Sequence, residues 1–189
     1  QPENLSYLSP VGFKFNINKL PNTNYFCQGV TLPGITVSGV PVQTPFVSIP
    51  FPGDRVEFQE LIIRFIVDEY MENYKEIFGW MEGIGFPDNF EQYENVKKSD
   101  PKNPGPMSGI ISDATLIVLT GAQTPKIEFK FKDAFPTQLA SLQFDAGTED
   151  VQYLMADATF SYRSFEINDI KLNMKIEEIE LLWESDSKI

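Results

Sequence analysis

The hydrophobic period of this sequence changes at Asp68. Residues from Val56 to Val67 contain the run LIIRFIV, whose branched and aromatic residues are typical of a buried strand. After Asp68, apolar residues recur every three to four positions, which predicts an amphipathic helix over about 69–82. Asp68 is placed to cap this helix, and Glu69 suits the positive end of its dipole. The apolar positions are Tyr70, Tyr74, Ile77, Phe78 and Met81, with Glu72, Asn73, Lys75 and Glu76 between them.

The residue types disfavour an enzyme. The 189 residues are 42% hydrophobic, enough to bury the core of one domain, but they include no histidine. The commonest general base and metal ligand is therefore absent. The single cysteine, Cys27, excludes an internal disulfide and is expected to be a buried structural thiol. No calcium-binding or nucleotide-binding motif is present, so we expect no catalytic, cofactor or metal site.

The net charge of -12 argues against a protein that grips nucleic acid through a basic face. An acidic lining would, however, suit a channel through which DNA slides without sticking. The longest apolar runs, such as Leu61–Val67 and Ala114–Leu119, are far shorter than the roughly 20 residues that a helix needs to cross a bilayer. We therefore expect no insertion into a membrane.

The first part of the chain predicts two strands. Val11–Asn18 alternates between apolar and polar residues, and Tyr25–Thr31 resumes as a strand after a short polar break. The simplest arrangement is an antiparallel hairpin. Farther along, Pro52-Gly53-Asp54 has the composition of a tight turn that precedes the buried strand.

The segment 34–51 is predicted to be an exposed loop or edge arm. Pro41, Pro45 and Pro50 keep much of it out of a central strand. It is nevertheless too apolar for a solvated loop. Either it covers the core of its own domain, or a neighbouring subunit covers it. The candidate contact residues are Val37, Val40, Val42, Phe46, Val47, Ile49 and Phe51.

The second half predicts further strands. Residues 86–106 read as a long surface loop, after which Ile110–Thr120 and Pro125–Asp133 form a hairpin. Phe135-Pro136 is expected to end the second of these strands. Leu139, Leu142 and Phe144 should then return the chain to the core, and Val151–Phe165 is long enough for a bulge near Asp157.

The predicted division of the chain has three parts. An N-terminal arm covers 1–10, a β domain covers 11–165, and a C-terminal extension covers 166–189. The extension is amphipathic, and its pattern does not decide between strand and helix. It packs either on its own domain or on a partner, with Ile179, Leu182 and Trp183 as contact candidates.

The order of these segments resembles the tail tube fold of contractile-tailed bacteriophages. That fold is shared by tube proteins, tube-like baseplate hub and initiator proteins, and the tube protein of type VI secretion. The most specific motifs are Gly53-Asp54-Arg55 before the buried strand and Phe135-Pro136-Thr137 before the last strand. The other motifs are Phe26-Cys27, Leu32-Pro33, the 34–51 arm, Val67-Asp68-Glu69, Trp80, Leu139 with Leu142, and Phe165.

The resemblance implies a mainly β fold, an antiparallel β-sandwich or split barrel with one flanking helix. It implies a structural protein of the virion tail, assembled in the host cytoplasm. Six copies would close into a ring whose joined strands surround a channel, with DNA as a transient cargo. The arm would contact the neighbouring ring. Expected partners are further copies of the chain and adjacent tube, sheath or baseplate proteins.

The 86–106 loop and the 166–189 extension exceed a minimal tube subunit, which favours a specialised position in the tail. The tube itself and a tube-like layer at its baseplate or hub end both stay open. The alternative from another class is a monomeric β-sandwich module that binds a small ligand or a peptide.

Overall fold

The computed structural model describes residues 7–85, 91, 93–94, 109–145, 147 and 153–170. Their strands are paired only in the antiparallel sense, so the predicted mainly β, antiparallel class is confirmed. In chain order the elements are β1 (Phe13–Ile17), α1 (Pro21–Tyr25), β2 (Cys27–Thr31), β3 (Ile35–Gln43), β4 (Ser48–Phe58), β5 (Leu61–Ile66), α2 (Glu72–Gly85), β6 (Ser112–Leu119), β7 (Pro125–Leu139), β8 (Met155–Ser161) and β9 (Ser164–Asp169).

Strand β7 joins two halves of one curled sheet. The sheet follows the order β1-β6-β7-β8-β5-β2, and β9 also pairs with β7. The segment Ile127–Lys132 pairs with β9, whereas Phe135–Leu139 pairs with β8. Among the described residues, β1 and β2 at the two ends of this path do not pair with each other. The described sheet does not close into a barrel, and this open arrangement is compatible with the predicted sandwich.

The core lies between the two halves of the sheet and beneath α2. On β5, the buried Leu61, Ile63 and Phe65 alternate with outward residues, because successive strand side chains point to opposite faces. Phe131 of β7 and Phe160 of β8 are also fully buried. The continuous apolar run at 61–67 is thus a central strand, paired with β2 on one side and β8 on the other.

The predicted hairpin of the first two strands is wrong. Its polar break folds as α1, and β1 pairs with β6 while β2 pairs with β5. Pro21 lies in the first turn of α1, where its missing N–H costs no helical hydrogen bond. Asn24 then binds back to β1, since its side chain accepts from Ile17 N and donates to Ile17 O, both at 2.8 Å. This clamp sends the two strands to opposite ends of the sheet.

The predicted turn at Pro52-Gly53-Asp54 is also wrong, because these residues lie inside β4. The turn of the β3–β4 hairpin lies at Thr44–Val47 instead. The strand expected from Val56 to Val67 is interrupted at Gln59-Glu60, where the chain passes from the hairpin into the main sheet. Proline was misleading here, because an edge strand tolerates it wherever its N–H would point outward.

The β6–β7 hairpin is confirmed, but Phe135-Pro136 does not end β7. The register shifts between Pro136 and Gln138, and the strand continues to Leu139. The bulge expected near Asp157 is replaced by a break at Tyr162-Arg163, between β8 and β9. Leu139 and Leu142 pack on the core as predicted, whereas Phe144 is exposed. Most of the 86–106 loop lies outside the described residues.

Helix α2 begins three residues later than predicted and ends at Gly85. Ile77 and Trp80 are buried, and the Trp80 indole donates to Ile110 O at 2.8 Å. Tyr70 and Phe78, predicted to face the core, are exposed. No helix in the described part of the chain is long and apolar enough to cross a membrane.

Asn73, predicted on the polar face of α2, is completely buried. Its amide donates to Ile66 O at 2.7 Å and accepts from Asp68 N at 3.4 Å. Asp68 accepts from Asn73 N at 3.1 Å, so it helps to cap α2. The pKa of Asp68 is lowered, since backbone hydrogen bonds to its carboxylate outweigh the opposing effect of desolvation. These bonds join β5 to α2.

Candidate assembly surfaces

The segment predicted as an arm is a two-stranded hairpin, β3–β4, here called the arm. It pairs with no strand of the main sheet. Every residue of β3 is exposed, and in β4 only Gly53 is not. The arm therefore does not cover the core of its own domain. Between Lys19 and Asp54 the sequence has no charged residue, although 22% of the chain is charged.

The outer half of the arm has one purely apolar face, here called the apolar face. The register pairs Val40 with Phe51 and Val42 with Ile49. Paired residues share a face, as do residues two apart along a strand, so these four side chains lie together. The opposite face, here called the proline face, contains Gly39, Pro41, Gln43, Ser48, Pro50 and Pro52.

The tip of the arm presents a bare aromatic ring. Thr44 N donates to Val47 O at 3.1 Å, and Val47 N donates to the Thr44 hydroxyl, also at 3.1 Å. These bonds close a tight turn around Pro45 and Phe46. The side chain of Phe46 is 98% exposed. A phenylalanine with so little cover gains stability only when another surface covers it.

The root of the arm is anchored to the core. The Phe58 ring lies 5.5 Å from the Phe165 ring and 6.1 Å from the Tyr162 ring, measured between centroids. Gln59 N donates to Gly34 O at 3.0 Å, and the Tyr162 hydroxyl donates to Gln59 O at 2.8 Å. Burial raises the pKa of Tyr162 to about 12, so this donor stays protonated at neutral pH. The arm thus projects from a defined base.

Gly53 permits a close approach of the two strands where the register of the arm shifts. The register shifts between Val37 and Gly39, and there a Cβ at Gly53 would lie only 2.2 Å from Ser38 O. We expect Gly53→Ala to force the strands apart and to raise chymotrypsin cleavage of the arm severalfold, without a marked change in melting temperature. Gly39→Ala is the matched control, because its Cβ would meet Phe51 O at an ordinary 3.5 Å. Equal cleavage of both variants would contradict this.

Two strand edges are open to pairing within the described residues. Strand β9 is bonded only to β7 and β2 only to β5. On β9, Ile170 N donates to Lys126 O of β7. Because ladder bonds alternate along a strand, Glu166 and Asn168 also bond to β7. The N–H groups of the residues between them, Phe165, Ile167 and Asp169, therefore point outward. The β1 edge is partly closed, since Ile17 N is taken by Asn24 and Phe13 N donates to Val11 O. Open edges are sites for strand addition.

A cleft of about 580 Å³ separates β1 from β2. Phe13, Lys14 and Phe15 line one side, and Cys27 and Gln28 line the other. Burial raises the pKa of the Cys27 thiol to about 11, against the weaker opposing effect of its hydrogen bond to Gly29 O. Cys27 is half-buried and packs against the core, not fully buried as expected, and its thiol has little thiolate at neutral pH.

The Cys27 thiol is expected to be slow towards a thiol reagent. Its pKa rises from 9.0 to about 11, so the thiolate fraction at pH 8 should be roughly 100-fold below that of the unfolded chain. The rate should rise about tenfold from pH 8 to pH 9. Labelling in urea gives the unfolded reference. A variant with Cys27→Ser and the exposed Ser48→Cys should label rapidly; fast labelling of native Cys27 would contradict the assignment.

The charged groups on the sheet surfaces mostly satisfy one another. Arg64 forms a two-bond pair with Asp157, at 2.7 and 3.0 Å, and the Arg64 side chain lowers the pKa of Asp157. Lys132 binds Glu166 and lowers the pKa of that carboxyl. No three histidine, cysteine, aspartate or glutamate side chains in the described ranges group as metal ligands.

Comparison with known proteins identifies the family. Residues 2–168 match the family described as phage tail tube protein. The chain belongs to this family. The tail tube terminator protein of Enterobacteria phage T4 is 28% identical over 149 residues, which cover 74% of this chain and 75% of the relative. The predicted resemblance is confirmed, and a tail tube protein is a component of the virion tail, as expected.

Solved structures of tube-like proteins share the fold. One is the sheath/tube terminator of the extracellular contractile injection system PVC in its extended state, with a TM-score of 0.53 at 19% identity, covering 87% of this chain and 99% of that one. Another is the tube terminating cap of the anti-feeding prophage, with a TM-score of 0.53 at 15% identity, covering 89% and 96%. At these identities the likeness shows a shared fold.

The structure of this tail tube protein brings the arm candidates together on one hairpin. All seven are exposed, namely Val37, Val40, Val42, Phe46, Val47, Ile49 and Phe51. Ile179, Leu182 and Trp183 lie outside the described residues. Strand β9 extends to Asp169 and so crosses the expected boundary between domain and extension at 165/166.

Sequence reasoning missed two features of the surface. One is the open edge of β9, because a strand pattern does not say which edge is paired. The other is a groove of about 450 Å³ beside α2, lined by Tyr74, Phe78, Met81 and Leu139 among others. The signal for it was present in Phe78, which the helical period assigned to the core although it is 54% exposed.

Proposed function

We propose that the protein is a subunit of a ring, of six copies, that forms or ends the tube of a phage tail. The observation that carries this proposal is the arm, an uncovered hairpin whose outer half is apolar and has no charged residue, on a member of the tail tube family. Exposed apolar surface of this extent is a feature of association sites. Within the ring, neighbouring copies would join through the open edges of β2 and β9, because a closed ring leaves no unpaired edge.

The arm would contact the neighbouring ring through Val37, Val40, Val42, Phe46, Val47, Ile49 and Phe51. In the extension, Ile179, Leu182 and Trp183 are proposed contacts with an adjacent tail component. The channel inside the ring would let DNA pass. A net charge of -12 for each copy suits that role, since an acidic protein holds a polyanion weakly.

A position at the end of the tube is favoured over its repeating body. The T4 relative is named a tail tube terminator, and the match with this chain covers 75% of that relative. A terminating ring has one face on the tube and the other on a different component. Its proposed partners are therefore the last ring of the tube together with sheath or baseplate proteins, and its assembly takes place in the host cytoplasm.

Mass and shape across concentration test this proposal. Light scattering with negative-stain microscopy should show a monomer passing into rings as concentration rises, or on addition of purified tube. A terminating ring should appear once at a tube end and should not stack further, whereas a tube subunit should form long stacks. A compact monomer at every concentration, with or without tube, would overturn the proposal in favour of a monomeric binding module.

A further inference from the structure

The main sheet has more strand edges than a ring needs. Strands β1 and β2 end its path and β9 branches from β7, so each of the three is paired on one side only among the described residues. In a closed ring of identical copies, each copy meets its neighbours through two different surfaces, one on either side. Two edges are sufficient for this contact. A third open edge would pair with any exposed strand and compete with ring closure.

The register of β1 shows which of its backbone groups point outward. Leu119 N of β6 donates to Gly12 O at 2.8 Å. Ladder bonds alternate along an antiparallel strand, so the even-numbered residues of β1 bond to β6. The N–H and C=O groups of Phe13, Phe15 and Ile17 therefore point away from β6, where an added strand would bond.

At Ile17 a side chain takes the place of an added strand. Asn24 Oδ1 accepts from Ile17 N, and Asn24 Nδ2 donates to Ile17 O, both at 2.8 Å. One amide thus makes the two hydrogen bonds that the opposing residue of an added strand would make. Asn24 Nδ2 also donates to Asn16 Oδ1 at 2.9 Å, so both hydrogens of the amide are used.

The rest of the β1 edge offers little to an added strand. Phe13 N donates to Val11 O at 3.2 Å, so Phe13 N, Ile17 N and Ile17 O all have partners within the copy. An added strand would find both outward groups free only at Phe15, next to the blocked Ile17. The outward N–H groups of β9, by contrast, have no partner among the described residues.

Helix α1 is attached to α2 independently of Asn24. The Thr23 side chain is buried, and its hydroxyl donates to Asn73 O at 3.3 Å. Asn22 Nδ2 donates to Glu76 Oε1 at 2.7 Å. These contacts hold α1 beside β1 and position the Asn24 amide at the strand edge. They also leave α1 attached when the amide is removed.

We propose that Asn24 determines which edges of the sheet join neighbouring copies, because it closes β1 and leaves β2 and β9 open. It is a positioning residue for assembly, since it binds only its own copy and prevents strand addition at β1. Without its amide, only Phe13 N among the six outward groups of β1 would have a partner. Copies would then join through β1 as well. This inference rests on the proposed function, which supplies the copies that pair.

Replacing Asn24 by alanine tests this inference, and Asn22→Ala is the matched control. Both variants remove an asparagine amide from α1, but Asn22 binds Glu76 and no strand. Sedimentation velocity with negative-stain microscopy measures the fraction of protein that is neither monomer nor ring. We expect Asn24→Ala to raise this fraction at least about tenfold. Asn22→Ala should leave it within about twofold of the wild-type value, since it opens no edge. Equal distributions for the two variants would overturn the inference.

Hydrogen exchange tests the edge in the wild-type monomer. The Ile17 N–H should exchange at least about tenfold more slowly than the Phe15 N–H, because only the first has a partner among the described residues. Equal rates would overturn the inference. This comparison needs no variant, so it decides the matter even if Asn24→Ala fails to fold.

The same measurement locates the new contact in Asn24→Ala. In its associated species outside the ring, the Phe15 and Ile17 N–H groups should exchange at least about tenfold more slowly than in its monomer. Unchanged rates would show that β1 is not the contact and would overturn the inference. A wild type that forms no rings, beside an Asn24→Ala variant that associates through β1, would overturn the proposed function alone.

Discussion

Replacing Ile167 by proline should abolish ring closure without unfolding the domain. The Ile167 N–H points outward from β9, whereas the neighbouring Glu166 and Asn168 carry the bonds to β7. The variant therefore loses no ladder bond, and the side chain it loses is 61% exposed. What it removes is a donor that an incoming strand of a neighbouring copy would use. We expect the fraction of protein in rings to fall at least about tenfold.

The control is Ile167→Val, which keeps the outward N–H and the branched side chain. It should form rings as the wild type does. Thermal melting followed by circular dichroism should confirm that both variants are folded. If Ile167→Pro forms rings at the wild-type concentration, the β9 edge is not a contact between copies, and ring closure must use other surfaces.

Replacing Asn73 by alanine should cost about 2–4 kcal/mol in the free energy of unfolding. The side chain is fully buried, and its amide holds the end of β5 through Ile66 O and Asp68 N. Alanine leaves the Ile66 carbonyl without this donor and leaves a small cavity. The Thr23 hydroxyl, which donates to Asn73 O at 3.3 Å, would be displaced if the helix start shifted.

Urea denaturation measures this loss, and Glu72→Ala is the matched control. Glu72 precedes Asn73 in α2 but is exposed, so its replacement should change stability by less than about 0.5 kcal/mol. Asn73→Asp keeps the acceptor but loses the donor to Ile66 O, and it places a second carboxylate beside Asp68. It should be at least as damaging as alanine near neutral pH. A loss below about 0.5 kcal/mol for Asn73→Ala would show that the network contributes little.

The two predictions separate folding from assembly. Asn73 lies inside the domain and contributes to the stability of a single copy. Among the described residues the outward N–H of Ile167 has no partner in its own copy, so an incoming strand of another copy can use it. A variant that loses rings while keeping its unfolding curve is evidence for a contact surface.

The pKa of Glu76, on α2, is shifted in the direction opposite to that of Asp68. Desolvation raises its pKa against the hydrogen bonds that it accepts from α1, including Asn22 Nδ2 at 2.7 Å. Its second carboxylate oxygen is buried without a described partner. Because the folded-state pKa lies above the unfolded one, protonation of Glu76 favours the folded state as pH falls through that window. Asp157 and Glu166, whose pKa values are lowered, act in the opposite direction, since their stabilisation is lost as pH falls through their folded pKa values.

Much of the fold could be predicted locally. Three local patterns identified buried positions: the apolar run at 61–67, the alternation at 125–133 and the helical period after Asp68. Buried residues recur with the period of the strand or helix that contains them, so such patterns can be read from neighbouring residues. The antiparallel class and the exposure of the arm followed from these patterns and from the prolines. The family likeness rested on the order of the same segments.

Which strands pair with each other could not be predicted in this way. The sequence placed β1 and β2 side by side because they are neighbours in the chain, yet Asn24 and α1 direct them to β6 and β5. Likewise Pro52-Gly53-Asp54 has the composition of a turn, and only the pairing with β3 made it part of a strand. Such cases are decided by hydrogen bonds between segments that are far apart in the sequence. These bonds produce no periodic pattern in the residues on either side.

The sequence by itself determined the buried strand at 61–66, the β6–β7 hairpin, the place of the main helix and the lack of charge at residues 35–53, because each property belongs to residues close together in the chain. The tertiary structure decided which strands pair, which edges stay open, that Asn73 is buried while Phe78 is not, and that four apolar side chains of the arm share one face. Each of these depends on contacts between residues far apart in sequence, whose free energies are set by the whole arrangement and not by any one segment.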